Sequence, residues 1–243
     1  MSSVTNETVS CEGPETRYVP AFVIPFDEVL GRVAHGSTQM LAKWLDREIR
    51  FARKDVSVCA AAGLTLPSGQ EVSIVDVPGD KPLIHSLQDV PHGKISYEYY
   101  KSATLGTTRT LLVYTPPGFD ASGKTRYPVL YLIHGGSDTE ETWTKVGRAN
   151  LIADNLIAQD KAKPMLIVMP YGNVRPSPMA DFTKDVINDI IPFIEANYPV
   201  IKESRGRAVA GFSVGGGQTL NIGLTNTDKF AYVCSYAPYT ATE

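Results

Sequence analysis

One serine in this chain stands where it could act as a nucleophile. Gly211-Phe212-Ser213-Val214-Gly215 continues into Gly216 and Gly217, between the apolar segment Arg207–Gly211 and a helical pattern over Gln218–Thr225. A serine on a sharp strand-to-helix turn exposes its hydroxyl at the top of a sheet, and small neighbours let the backbone pack that tightly. The chain then enters a helix N-terminus, whose free N–H groups favour developing negative charge. The bare pattern is weak, because glycine and serine are common enough to produce it by chance in roughly one chain in ten of this size. The strand–turn–helix context is what gives it weight. Two bland alternatives compete: a serine that merely caps the helix, or a phosphate-cradling loop. A Walker-type loop needs Gly-Lys-Ser/Thr, which this site lacks.

A second candidate lies upstream. His134-Gly135-Gly136 follows the apolar run Val129–Ile133 directly. In serine hydrolases with a strand-to-helix nucleophile, a loop after an earlier strand supplies one oxyanion-binding N–H and the residue after the nucleophile supplies the other. By that pattern the expected donors are the backbone N–H of Gly136, or that of Ser137, and the backbone N–H of Val214. One such donor is worth about 3 kcal/mol of transition-state stabilisation. The bland alternative is a turn that only ends the strand. His134 reads as structural rather than as a base.

These groups need a sheet to hold them. Lys94–Lys101 and Thr108–Thr115 read as two strands, and the short linker between them predicts an antiparallel hairpin. Val129–Ile133 and Met165–Met169 are continuous apolar runs, as expected of strands buried on both faces. Helices are predicted over Glu140–Gln159, through Trp143, Val146, Leu151 and Leu156, and over Asp181–Asn197, through Phe182, Val186, Ile190 and Ile194. Arg207–Gly211 is a short strand, Gln218–Thr225 a helix and Phe230–Tyr236 a last strand. Alternating buried strands and helices imply an α/β domain with a mainly parallel sheet and helices on both faces. Active groups in such sheets gather at the carboxyl ends of the strands, where both glycine-rich segments fall.

Residues 1–88 have a different texture and read as an N-terminal extension to a domain over 89–243. Met1–Pro20 is polar and reads as disordered. Pro25–Asp55 carries apolar residues three and four apart, and Val56–Pro82 turns to short β-like runs broken by Pro-Ser-Gly and Pro-Gly-Asp.

Composition narrows the field of partners. The chain has 243 residues, 43% of them apolar, and a formal charge of −3. That suits one domain, or one with an extension, and offers no electrostatic footprint for nucleic acid. Cys11, Cys59 and Cys234 are far apart, and the four histidines do not cluster with carboxylates, so neither a disulfide framework nor a metal site is expected. No run approaches the roughly 18 apolar residues of a membrane span, and the start lacks the basic end and apolar run of a signal peptide. The expectation is a soluble protein, cytoplasmic as written, with export open if another N-terminus precedes this one.

Leu130–Gly136, Gly147–Leu156, Lys163–Gly172, Asp185–Glu195 and Ala208–Gly223, with Tyr114–Gly118, resemble the carbohydrate-esterase group of the α/β-hydrolases. That group holds feruloyl and acetyl-xylan esterases and is similar to the enterochelin-esterase and mycolyltransferase-like proteins. The resemblance runs from about Asp89 to Tyr239. It implies ester hydrolysis by Ser213 through an acyl-enzyme, no cofactor, and a small-molecule or carbohydrate ester as substrate. Ser137, Trp143 and Tyr239 are candidates to line the acyl or sugar pocket, with Tyr236 beside them; Trp143 fits a helix core equally well.

The resemblance also implies an acid after a later strand and a histidine nearer the C-terminus. Only 30 residues follow Ser213, with Asp228 and Glu243 as their acids and no histidine. Two more strands and helices need on the order of 50 residues. The expected fold is therefore cut off after about the sixth strand, with an apolar edge at Phe230–Tyr236 and the triad acid and base unassigned. His35, His85 and His92 are weak substitutes, since a base must reach the serine. Asp185 and Asp189, four apart, read as a solvated helix face rather than as a glycosidase pair. The competing readings are a protein that keeps the fold without catalysis, and an acyltransferase to a sugar.

Overall fold

The computed structural model describes residues 82–239 and the backbone of strands β1 (Ala61–Thr65) and β2 (Glu71–Val75), which form a two-stranded sheet. The expected disordered start, the helix over Pro25–Asp55 and His35 lie outside the described residues. The chain divides into two compact units, Met1–Leu64 with Glu71–Leu83, and Thr65–Gln70 with Ile84–Glu243. The second unit carries the two glycine-rich motifs.

Its core is a six-stranded sheet of β3 (Lys94–Ser102), β4 (Thr107–Thr115), β5 (Val129–Ile133), β6 (Leu166–Pro170), β7 (Arg207–Phe212) and β8 (Tyr232–Tyr236), in the order β3-β4-β6-β5-β7-β8. β3 and β4 form the expected antiparallel hairpin, and β4 runs antiparallel to β6. The other three pairings are parallel, with Leu130 opposite Ala208 and Val209 opposite Val233. Successive residues of a strand face opposite sides. Leu111 and Val113 therefore join Tyr131, Ile133, Val168 and Val209 in one core cluster, while Leu112 and Tyr114 join Leu132, Ile167 and Met169 in the other. Burial on both faces is why β5 and β6 read as unbroken apolar runs.

Helices α1 (Thr142–Lys145) and α2 (Ala149–Ala158) supply Trp143, Ala149 and Ala153 to the second cluster. On the other face, α3 (Ala180–Asp185) passes through a π-helical turn (Val186–Ile190) into α4 (Ile191–Asn197). Phe182, Val186, Ile190 and Ile194 from this run enter the first cluster, with Ile222 from α5 (Val214–Thr225).

Three helix expectations are corrected. The single helix over Glu140–Gln159 is broken: Arg148 is left-handed at φ 50°, and Val146 is exposed rather than on the apolar face. Gly147 lies so close to Trp143 that a Cβ there would stand 2.7 Å from the indole. The helix over Asp181–Asn197 contains the π-helical turn. The last helix starts at Val214 rather than Gln218, because Gly215, Gly216 and Gly217 form its first turn. The final strand begins at Tyr232, leaving Phe230 as a buried core residue. Among the described residues β8 is one edge of the sheet, with Tyr232, Val233 and Tyr236 exposed.

Candidate active site

Ser213 lies between the end of β7 and the start of α5, with φ 56° and ψ −118°. A non-glycine residue at positive φ is strained, and such strain persists only where the surroundings enforce it. Here they do so through backbone hydrogen bonds. Ser213 N–H donates to Tyr236 O at 3.0 Å, while its carbonyl accepts from Gly217 N at 3.0 Å and Tyr239 N at 2.8 Å. The elbow is thereby pinned to the segment that follows β8.

Absent side chains close the turn. A Cβ at Gly211 would collide with the carbonyl of Gly215. At Gly215, a Cβ would collide with the carbonyl oxygen of His134 and stand 2.6 Å from that of Ile133. The nucleophile turn and the His-Gly-Gly loop, far apart in sequence, therefore touch backbone to backbone. A Cβ on Gly136 would meet Val214 Cγ2 at 2.9 Å, so the two candidate oxyanion donors are neighbours. Ser213 N–H is committed to Tyr236, so the donor left at the elbow is Val214 N–H. As the first residue of α5, Val214 has no intrahelical acceptor for that N–H. Gly136 and Ser137 are exposed, and Ser137 has φ 65°.

The loop is tied down on its other side. Asp138 N–H donates to Gly135 O at 3.3 Å, and Asn173 Nδ2 donates to Asp138 O at 2.9 Å. His134 is buried with both ring nitrogens engaged, by Gly135 O and Gly172 N. Burial holds its pKa below the ordinary imidazole value, partly offset by the Gly135 carbonyl and by Asp138 and Glu140. His92 is engaged with Asp154 at 2.8 Å and Gln88 O at 3.1 Å. No hydrogen bond among the described residues joins His85, His92 or His134 to Ser213.

The other sequence candidates divide. Tyr239 comes to the elbow through its backbone, with its ring exposed, and Tyr236 is exposed beside it. Trp143 is half-buried against the second core cluster, with Nε1 buried and unpartnered among the described residues. Asp228 is exposed and pairs with Lys229 at 3.0 Å.

The expectation of a solvated Asp185 and Asp189 face is overturned. Asp185 is fully buried, accepts from Tyr100 OH at 2.7 Å and faces Arg109 Nε at 3.6 Å. Asp189 accepts from the N–H groups of Ala103 and Thr104 in the β3–β4 turn. The pair staples the end of α3 and the π-helical turn to the hairpin. Burial pushes the Asp185 carboxyl above its ordinary range, against the lowering effect of its hydrogen bonds and of Arg109.

A further motif match turns out to be empty. Gly118–Thr125 (GFDASGKT) has the spacing of a phosphate loop. The segment joins β4 to β5 with no helix after it, and Asp120 and Tyr127 take the N–H groups of Ser122 and Asp120. Those amides are not available to cradle a phosphate. Among the described residues, no three His, Cys, Asp or Glu side chains gather where they could share a metal ion, and no helix is long and apolar enough to cross a membrane.

A family model described as a putative esterase matches residues 102–243. The chain belongs to this esterase family. It is 36% identical over 170 residues to an endo-1,4-beta-xylanase/feruloyl esterase of Xylanibacter ruminicola, an alignment covering 65% of this chain and 23% of that protein. It is 32% identical over 155 residues to an esterase of Mycobacterium tuberculosis, covering 59% of this chain and 32% of that one. Among solved structures, a CE1 ferulic acid esterase from Anaeromyces mucronatus in complex with ferulic acid superposes with TM-score 0.60 and 27% identity. That match covers 65% of this chain and 63% of the other. The chain thus spans less than two thirds of each of these relatives. Its mainly parallel sheet with flanking helices is the α/β-hydrolase-type fold, and its family and neighbours are carboxylic ester hydrolases.

Proposed function

We propose that this chain carries the nucleophile and oxyanion hole of a serine carboxylesterase acting on acyl groups borne by carbohydrate or related small molecules. Ser213 Oγ adds to the ester carbonyl, and the N–H groups of Gly136 and Val214 hold the oxygen that becomes negative. Collapse of the tetrahedral intermediate expels the alcohol, which takes up the proton lost from Ser213. Water then attacks the acyl-serine and releases the carboxylic acid. Ser137, next to the Gly136 donor, and Tyr239, whose backbone N–H bonds the Ser213 carbonyl, are proposed to border the acyl or alcohol group.

The observation that carries this reading is the backbone contact of Gly215 with the carbonyls of Ile133 and His134. It sets a strained serine, a helix N-terminus and the exposed Gly136 side by side. The substrate class is carried by the relatives, whose names include feruloyl and ferulic acid esterases and a xylanase.

One observation favours a second reading, a domain that keeps the fold without catalysis. No hydrogen bond among the described residues engages the Ser213 hydroxyl, so none of them stands as its base. The two readings are separated with a fluorophosphonate probe and mass spectrometry. On this polypeptide the catalytic reading expects slow labelling that maps to Ser213 and vanishes in Ser213→Ala, with poor turnover of simple esters. Labelling only at other residues, or none on prolonged incubation, would leave the non-catalytic reading standing.

A further inference from the structure

The chemistry proposed for Ser213 makes no use of His134, yet this side chain is 2% exposed and lies beneath the oxyanion loop. Its two ring nitrogens meet opposite partners. Nδ1 is 2.7 Å from the carbonyl oxygen of Gly135, which can only accept. Nε2 is 2.9 Å from the backbone N–H of Gly172, which can only donate. The ring therefore carries its proton on Nδ1 and a lone pair on Nε2, a neutral tautomer set by its neighbours.

Gly135 O and Gly136 N–H belong to one peptide unit. In a planar trans peptide these two groups point in opposite directions. Holding the carbonyl down toward the imidazole turns the N–H up and away from it, toward the exposed side where Val214 lies. The anchor is itself anchored. Gly172 O accepts from Gln218 Nε2 at 2.8 Å, and Gln218 is 1% exposed on α5, one turn after Val214. Gly172 thus joins the ring under the oxyanion loop to the helix that follows the nucleophile.

We propose that His134, as the neutral Nδ1–H imidazole, is a positioning residue that aims the Gly136 N–H into the oxyanion hole by gripping the other end of the same peptide. This rests on the reading of Gly136 and Val214 as the oxyanion donors. A second proton, on Nε2, would oppose the Gly172 N–H and break the tie to α5. The groups facing the ring are mixed in sign. Asp138 and Glu140 on its own loop favour protonation, while Arg109 on β4 opposes it. The Tyr171 ring lies tilted beside the imidazole, centroids 5.6 Å apart, with Arg109 at 5.5 Å from the Tyr171 ring centre, and α5 presents the neutral Gln218.

The test is nitrogen and amide NMR on the full chain, with Ser213 labelling as a second readout. In the wild type, His134 should show a protonated Nδ1 and a bare Nε2, unchanged through the region near pH 6.5 where an ordinary imidazole titrates. His134→Leu should shift the Gly136 amide signal and slow labelling of Ser213 by about tenfold to a hundredfold, short of the full loss of a donor. His134→Asn keeps a donor at the position of Nδ1 and should recover part of both. A ring protonated on Nε2, a His134→Leu variant with unchanged Gly136 amide and labelling, or His134→Asn no better than His134→Leu would overturn the proposal. Should His134→Leu fail to fold, the wild-type ring signals and the Asn variant still decide it. Labelling that avoids Ser213 would remove the nucleophile reading alone, because the imidazole and amide signals report on His134 without it.

Discussion

The carboxyl edge of the sheet and the flanks of the β3–β4 hairpin achieve precision by opposite means. At the edge, position is set by atoms that are missing: Gly211 and Gly215 let three stretches of backbone meet where no Cβ fits. At the flanks it is set by two buried carboxylates, one on each face of the hairpin. Asp154 accepts from Tyr114 OH at 2.6 Å and Gly93 N at 2.9 Å, and Asp185 accepts from Tyr100 OH at 2.7 Å. Burial and the adjacent carboxylate hold both tyrosine hydroxyls well above their ordinary pKa, so each stays a donor. A steric contact tolerates no added atom, whereas a hydrogen-bonded contact tolerates an isostere that keeps donor and acceptor in place. The edge should therefore be brittle and the flanks graded.

The largest effect is expected at the edge. Gly215→Ala drives a methyl into the carbonyls of Ile133 and His134, both backbone and both fixed in or just after a buried strand. Overpacking of this kind costs about 3 kcal/mol or more, and denaturant unfolding should show it together with loss of Ser213 labelling. A stable, normally labelled Gly215→Ala would show that the two motifs are not in contact.

The flanks come next. Asp185→Ala leaves Tyr100 OH and Arg109 buried without their carboxylate, for a loss of about 2 to 3 kcal/mol. Asp185→Asn keeps an acceptor for Tyr100 and should lose less. The two also differ in pH dependence. The Asp185 carboxyl is raised on folding, so its contribution is complete below the unfolded value near 4 and is lost as pH rises through the folded value. Asp185→Asn removes that slope. Unfolding midpoints compared between pH 4 and pH 7 would show it, and parallel profiles for wild type and Asn variant would refute it.

The same contrast explains what was legible in the sequence. β5 and β6 announced themselves as apolar runs because both faces are covered, and the glycine motifs marked the ends of β5 and β7. What stayed hidden depended on partners distant in the chain. The glycines after Ser213 read as a turn before a helix, whereas they are its first turn, made of glycine because β5 and the segment after β8 press against it. Asp185 and Asp189 looked solvated at their four-residue spacing, since the donors that claim them come from the β3–β4 hairpin. His134 was recognisable as structural, but its acceptor role is defined by Gly172, in a different loop. Local pattern reports burial and turns well. It reports poorly on which distant backbone will lie against a given residue.

The smallest effect separates the members of one flank cluster. His92 is the most exposed partner of Asp154, with 37% of its side chain open to solvent. Removing it in His92→Ala leaves the carboxylate with Tyr114 OH and Gly93 N–H, so the loss should stay within about 1 kcal/mol, as for an exposed ion pair. Tyr114→Phe instead strips a buried donor from a buried carboxylate, and a hydrogen bond to a charged group is worth about 1.5 to 3 kcal/mol. Unfolding of the two single variants and their double gives the ordering directly. If His92→Ala cost as much as Tyr114→Phe, the cluster would be held by charge pairing rather than by the buried hydroxyl. The flank would then be as intolerant of change as the glycine edge.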